Sequence, residues 1–278
     1  MTFVAVNFSA TSMLEIFGYA SALIIGITLG LIGGGGSILT VPVLVYLMGL
    51  DPVMGTAYSL FVVGSTSVAG SITFYRRKLV SIKTAVIFGI PSIIMVYTTR
   101  RFVVPAIPDE IFEISGLMVT KDLFLMVLFA LLMVFASYSM IKGKKKVVGE
   151  EQPEKQKFNY PAILLEGAIV GLLTGLVGAG GGFLIIPALV IFSKLDMKLA
   201  VGTSLVIIAA KSLIGFLGDV ANYEIDWAFL GIFTSISIVG IFIGSALSKK
   251  IHGEKLKKSF GWFVLIMGIY ILIKELFL

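Results

Sequence analysis

The chain has 278 residues, 58% of them hydrophobic and 14% charged, with a mean hydropathy of +1.04. Soluble domains carry roughly 25% charged residues, so this composition excludes a water-soluble domain and points to a polytopic membrane protein. The lack of cysteine excludes disulfides, thiolate metal sites and cysteine nucleophiles, and the net charge of +6 fits lysine-rich cytoplasmic loops rather than a nucleic-acid partner.

Residues 1–13 carry no positive charge and no cleavage pattern, so they read as a short external tail rather than a signal peptide. Apolar segments follow at about 14–32, 37–50, 55–75, 82–99 and 121–141. Residues 142–160 are a charged linker without apolar period, expected to be cytoplasmic and solvated. Beyond it, apolar segments run at about 161–178, 183–194, 199–218, 226–247 and 258–277. Most approach the roughly 20 residues needed to cross a bilayer as helix. Ser37–Leu50 does not: at about 1.5 Å per residue it reaches about 21 Å of a roughly 30 Å core. The single histidine, His252, sits in a polar loop, and one imidazole makes no metal site.

The first short segment follows a glycine cluster, and the cluster recurs. Residues 30–44 and 175–189 match at eight of fifteen positions with a constant offset of 145. The offset persists at Asp51/Asp196, Ser59/Ser204, Ser67/Ser212 and Gly70/Gly215. Two repeats follow, 14–141 and 161–278, each of five hydrophobic segments. Loop charge sets their relative orientation. The loop 75–83 carries four cations, whereas its counterpart 220–228 carries none. Residues 98–122 sum to −1, with Arg100 and Arg101 against the trend, whereas 248–258 sum to +4. Equivalent loops with opposite bias belong on opposite sides of the membrane. The fold expected is therefore an all-α polytopic membrane protein of two inverted-topology repeats, about ten segments, with both termini outside. Each glycine hairpin either spans fully or dips in as a re-entrant loop. The oligomeric state stays open, a homo-oligomer included.

Broken helices at matching places of two repeats point to a transporter's binding site. Irregular backbone at Gly33, Gly34, Gly35 and Gly36, or at Gly178, Ala179, Gly180, Gly181 and Gly182, must be buried in protein or line a wet cavity. Where helix resumes, at Ser37 in the first repeat, the leading N–H groups lack intrahelical partners and favour an anion. The competing reading is that the glycines only let helices pack closely. Pro42 and Pro187 are expected to kink the short helices.

Polar groups inside the spans are further candidates. Lys211 lies mid-segment, where a lysine costs about 2.5–3.5 kcal/mol on insertion scales; it either faces a substrate anion, snorkels outward or pairs with Asp219. The hydroxyls of Ser65, Thr66, Ser67, Thr203, Ser204 and Ser212 either coordinate an oxyanion or bond the carbonyl four residues back. Glu166 is a candidate for proton coupling or a snorkelling carboxylate. No metal or other cofactor is implied.

The twin G-x-x-G-[GA]-G-G-x-x-L-x-x-P elements, each followed by a Gly-Thr-Ser-Leu-type stretch (Gly202–Leu205; 55–60 with Ala57 and Tyr58 inserted), resemble the TauE/SafE family of sulfite and organosulfonate exporters. The resemblance runs over about residues 14–277. It implies a secondary transporter in a prokaryotic cytoplasmic membrane that exports a small sulfur-containing anion such as sulfite or sulfoacetate. In that reading one half rocks against the other. An anion channel, or a carrier for another small organic anion, uses the same residues. An intramembrane enzyme would have only Ser212 with Lys211, neighbours that point about 100° apart on a helix.

Overall fold

The computed structural model describes residues 4–114, 117–142, 160–191, 193, 195–248 and 253–277. Apolar segments become helices because only helix satisfies a segment's own backbone in hydrocarbon. The first half of the chain comprises α1 (Val4–Ile32), α2 (33–47), α3 (Pro52–Arg76), α4 (Ile82–Ala106) and α5 (Lys121–Ile141). The second comprises α6 (Tyr160–Val177), α7 (Gly182–Ile191), α8 (Met197–Val220), α9 (Trp227–Leu247) and α10 (Gly253–Phe277). Among the described residues, five helices are long and apolar enough to cross a membrane: α3, α4, α8, α9 and the Lys121–Tyr138 part of α5. Val86, Ile90 and Ile94, four residues apart on α4, form an exposed apolar stripe suited to lipid.

Three features depart from the sequence reading. The helix α1 starts at Val4, so most of the expected tail is helical. The loop expected at 98–122 is instead the end of α4 and an antiparallel hairpin, β1 (Glu110–Ile114) with β2 (Leu117–Thr120), an exception to the all-α class. The short helix α2 begins at Gly33, not Ser37, and changes winding twice. It is 3-10 over Gly33–Leu39, α over Thr40–Pro42 and π over Val43–Leu47, where the Met48 N–H donates to the Val43 carbonyl at 3.0 Å. Pro42 cannot donate to the ladder, and the winding changes immediately after it.

The offset of 145 recurs in local structure. The Leu50 N–H donates to the Leu44 carbonyl at 3.1 Å, and Leu195 to Leu189 at 3.1 Å. Asp51 (φ −52°, ψ 139°) and Asp196 (φ −57°, ψ 146°) precede α3 and α8 with matching backbone. Asp51 alone caps with its side chain, accepting from the Val53 and Met54 N–H groups at 2.9 and 3.2 Å.

Packing is reciprocal. The helix α1 lies on α9, and its counterpart α6 lies on α4; α3 meets α8, α2 meets α7, and α5 meets α10. The first two contacts are lined with small residues at corresponding places. Gly26 and Gly30 abut the backbone at Ser237 and Gly244, while Gly171 and Gly175 abut Ser92 and Thr99. Small residues let such helices approach closely enough for dispersion to hold them without a hydrophobic drive. The halves interleave; each supplies half of the other's helix pairs.

Candidate functional site

The two glycine breaks meet. A Cβ on Gly34 would lie 2.7 Å from the Gly182 Cα, and one on Gly182 would collide with the Gly34 backbone. Between these two residues the backbones are in close contact. Elsewhere the breaks differ. In the first, Gly33 is left-handed (φ +72°), the described Gly34 and Gly36 are not, and 3-10 winding starts at once. In the second, Gly178, Gly180 and Gly181 are all left-handed (φ +69°, +64° and +69°), which forms a turn between α6 and α7. The first residues of α7 follow this buried turn directly.

Two cations reach this second turn. Lys211, on α8, is fully buried; its ammonium donates to Thr174 Oγ1 at 2.7 Å and lies 2.7 Å from where a Gly181 Cβ would be. It neither snorkels nor pairs with Asp219, as two of the sequence readings had it. Arg100 is also fully buried and is the partner of Asp219, Nη1 to Oδ1 at 3.6 Å. Its Nη1 donates to Thr56 Oγ1 at 3.0 Å, and a Cβ on Gly178 would collide with both Nη2 and Thr56. Arg100 enters because α4 continues past Thr98 as a π turn, Thr99–Val103, and because Gly218 leaves room on α8 for the Arg100 Cβ. The cation that ran against the loop-charge trend is thus a buried residue of a helix, not a loop residue.

Among the described residues, no such charge meets Gly33, Gly34 or Gly36 of the first turn. Gly33 faces Val201 and Gly34 faces Ile208. Ser37 is buried, but its hydroxyl donates back to the Gly34 carbonyl at 2.7 Å. Gly36 and Ala179 are buried in the walls of their turns. Gly35 lies within the 3-10 segment.

The remaining hydroxyls divide. Thr66 donates to the Val62 carbonyl at 2.6 Å and Ser204 to the Val201 carbonyl at 2.8 Å, as back-bonding predicts. Ser204 still lies beside the turn contact, its Oγ 3.5 Å from a Gly34 Cβ position. Thr203 accepts from the Ser81 N–H at 2.9 Å, which fastens the start of α4. Ser67 and Ser212 are counterparts, both buried with no hydrogen-bond partner, while Ser65 is half-buried. Buried hydroxyls are normally satisfied, and this pair shares its lack of a partner with Thr40, Ser59, Ser92, Thr99, Ser193, Thr234 and Ser245. Glu166 is not brought to the turns: twelve residues before Gly178 on α6, it is about 18 Å away along the axis. One of its carboxylate oxygens is buried without a partner. Pro187 sits inside α7. Among the described residues no cluster of acidic or histidine side chains could hold a metal ion; His252 lies outside them.

Sequence reasoning missed Arg100, Thr56 and Thr174. Thr56 carried a signal, as part of the Gly-Thr stretch; Arg100 carried one only as an unexplained exception to loop charge.

The model of the family described as sulfite exporter TauE/SafE matches residues 19–271. A probable membrane transporter protein of Xylella fastidiosa (strain 9a5c) is 29% identical over 252 residues, covering 90% of this chain and 91% of that protein. The probable membrane transporter protein YunE of Bacillus subtilis (strain 168) is 25% identical over 268 residues, covering 92% and 96%. A probable membrane transporter protein of Methanocaldococcus jannaschii is 28% identical over 267 residues, covering 90% and 92%. No solved structure matches.

Proposed function

Because the chain belongs to the sulfite exporter TauE/SafE family, we propose that it is a secondary transporter exporting small sulfur-containing anions, sulfite or organosulfonates, across a prokaryotic cytoplasmic membrane. The observation that carries this reading is the Lys211 ammonium, buried against Gly181 in the second turn. The amides at the start of α7 and this charge together suit an oxyanion. The free hydroxyls of Ser67 and Ser212 add donors without fixed charge. A membrane potential negative inside favours anion efflux by about 2.3 kcal/mol per charge per 100 mV, so proton coupling is not required. The relatives carry transporter names and no enzyme names. A Ser–Lys nucleophile finds no support, since the Lys211 ammonium bonds Thr174 and not Ser212.

Loop charge and reciprocal packing both favour two inverted repeats. The interleaving changes the moving parts, however. Halves that supply each other's helix pairs cannot rock as blocks; the mobile bodies are the cross-half pairs α1–α9 and α4–α6. Alternating access then requires Gly34 and Gly182 to part.

The test is a thermal-shift panel on purified protein with sulfite, sulfate, thiosulfate, sulfoacetate and carboxylates, followed by flux in proteoliposomes. Stabilisation and flux with a sulfur anion, with trans-stimulation, are expected of a carrier. Neither effect with any sulfur anion rejects the reading; flux without trans-stimulation points to a channel.

A further inference from the structure

The Arg100–Asp219 pair is buried, yet poorly bonded. At 3.6 Å it is longer than the roughly 2.7–2.9 Å of a charge-assisted hydrogen bond. Both Asp219 oxygens lack a hydrogen-bond partner, and so do Nε and Nη2 of Arg100. Nε and Nη2 form one edge of the guanidinium, a fork that matches two oxygens on one centre. Its Nη2 abuts Gly178, the first left-handed residue of the turn that Lys211 reaches at Gly181. Among the described residues, the side-chain hydrogen bond of this guanidinium runs from Nη1 to Thr56, and Nε and Nη2 have no partner. At the corresponding places of the first turn stand Val201, Ser245 and Phe74 for Thr56, Arg100 and Asp219, so the ionic cluster occurs once.

We propose that Arg100 is a second anion-binding residue of the Gly178–Gly181 turn, and that Asp219 is its exchangeable counter-ion, released when an oxyanion takes the guanidinium edge. The proposal rests on the transport reading above and deepens it. Lys211 supplies a point charge at one end of the turn and Arg100 a two-pronged donor at the other. The Cα atoms of Gly178 and Gly181 are at most about 11 Å apart, so an anion can be handed along the turn. The ligand class is an oxyanion with two or more oxygens on one centre, as in sulfite or a sulfonate; a halide cannot use the fork. In transport, Asp219 restores the pair and expels the anion, so it sets release as well as affinity.

The experiment measures dissociation constants of sulfite, methanesulfonate, phosphate, acetate and chloride by calorimetry on the purified full chain, alongside efflux from proteoliposomes. Asp219→Asn removes the competitor, and oxyanions are expected to bind about tenfold tighter while efflux slows. Arg100→Gln is expected to weaken oxyanion binding about tenfold or more, and Arg100→Lys, which keeps charge but not the fork, nearly as much. Chloride affinity should not move with Arg100→Lys. Unchanged or weaker oxyanion binding in a monodisperse Asp219→Asn protein overturns the proposal, because a purely structural pair predicts that result. Should Asp219→Asn not fold, the neutral pair Arg100→Gln/Asp219→Asn decides: wild-type affinity there also overturns it. If wild-type protein ignores sulfur anions but binds phosphate or acetate, and Asp219→Asn tightens that binding, the sulfur reading fails and this one stands.

Discussion

The two glycine turns carry nearly the same sequence and do different work. The first closes on itself: a left-handed Gly33, immediate 3-10 winding, a serine bonded back to its own turn, and valine and isoleucine as neighbours. The second runs through three left-handed glycines and meets Lys211 and Arg100. The difference comes less from the turns than from the helices opposite. Thr66 stands where the second turn's partner helix has Lys211, and Ser245 stands where the corresponding helix has Arg100. Similar turn sequences thus meet apolar side chains on one side and cations on the other.

The hardest test of this contrast is at the turn contact. Gly182→Val should abolish transport and lower thermal stability, since its side chain meets Gly34 backbone that has no room to yield; overpacking alone costs about 1–3 kcal/mol. Gly180→Val adds strain at φ +64° against Val63, and the same loss of flux is expected. Normal flux in both variants would make the turns dispensable.

Lys211→Met separates binding from folding. Anion-induced stabilisation should vanish while the unliganded melting temperature holds or rises, because an apolar side chain replaces a buried charge. The same change of charge in the first half, Thr66→Lys, should not restore binding. A drop in unliganded stability for Lys211→Met would make the lysine structural.

Smaller effects sharpen the picture. Thr203→Val leaves the Ser81 N–H unpaired and should cost about 1 kcal/mol in denaturant melts with anion affinity intact. Ser37→Ala should be nearest to silent, within about 1 kcal/mol and with full flux, because its hydroxyl serves only Gly34. If Ser37→Ala lost anion binding, the contrast between the turns would collapse.

The helical segments and the glycine turns were legible because apolar length and an offset of 145 survive in residue identity. The hairpin was also legible: Ser115-Gly116 between runs rich in isoleucine, valine and leucine is a hairpin signal, obscured when the segment is read only for charge. Arg100 was not legible. A cation at the end of an apolar run looks the same whether it points to water or inward, and a π turn rotates the helix face in a way no simple period reports. The partner of Asp219 was likewise undecidable, since Lys211 is on the same helix and Arg100 on another. Hydroxyl roles split for the same reason: Thr66 and Ser67 are adjacent, yet one is bonded to its own helix and the other is free.

The interleaved pairs also bear on how the chain is made. As α1 emerges from the ribosome, its glycine face at Gly26 and Gly30 has no partner until α9 has been synthesised, some two hundred residues later. The contacts of α1 with α9 and of α5 with α10 therefore form only after the second half has been made. Biogenesis of this protein is a closing of a clasp, and its last stitch is the seating of α9 and α10.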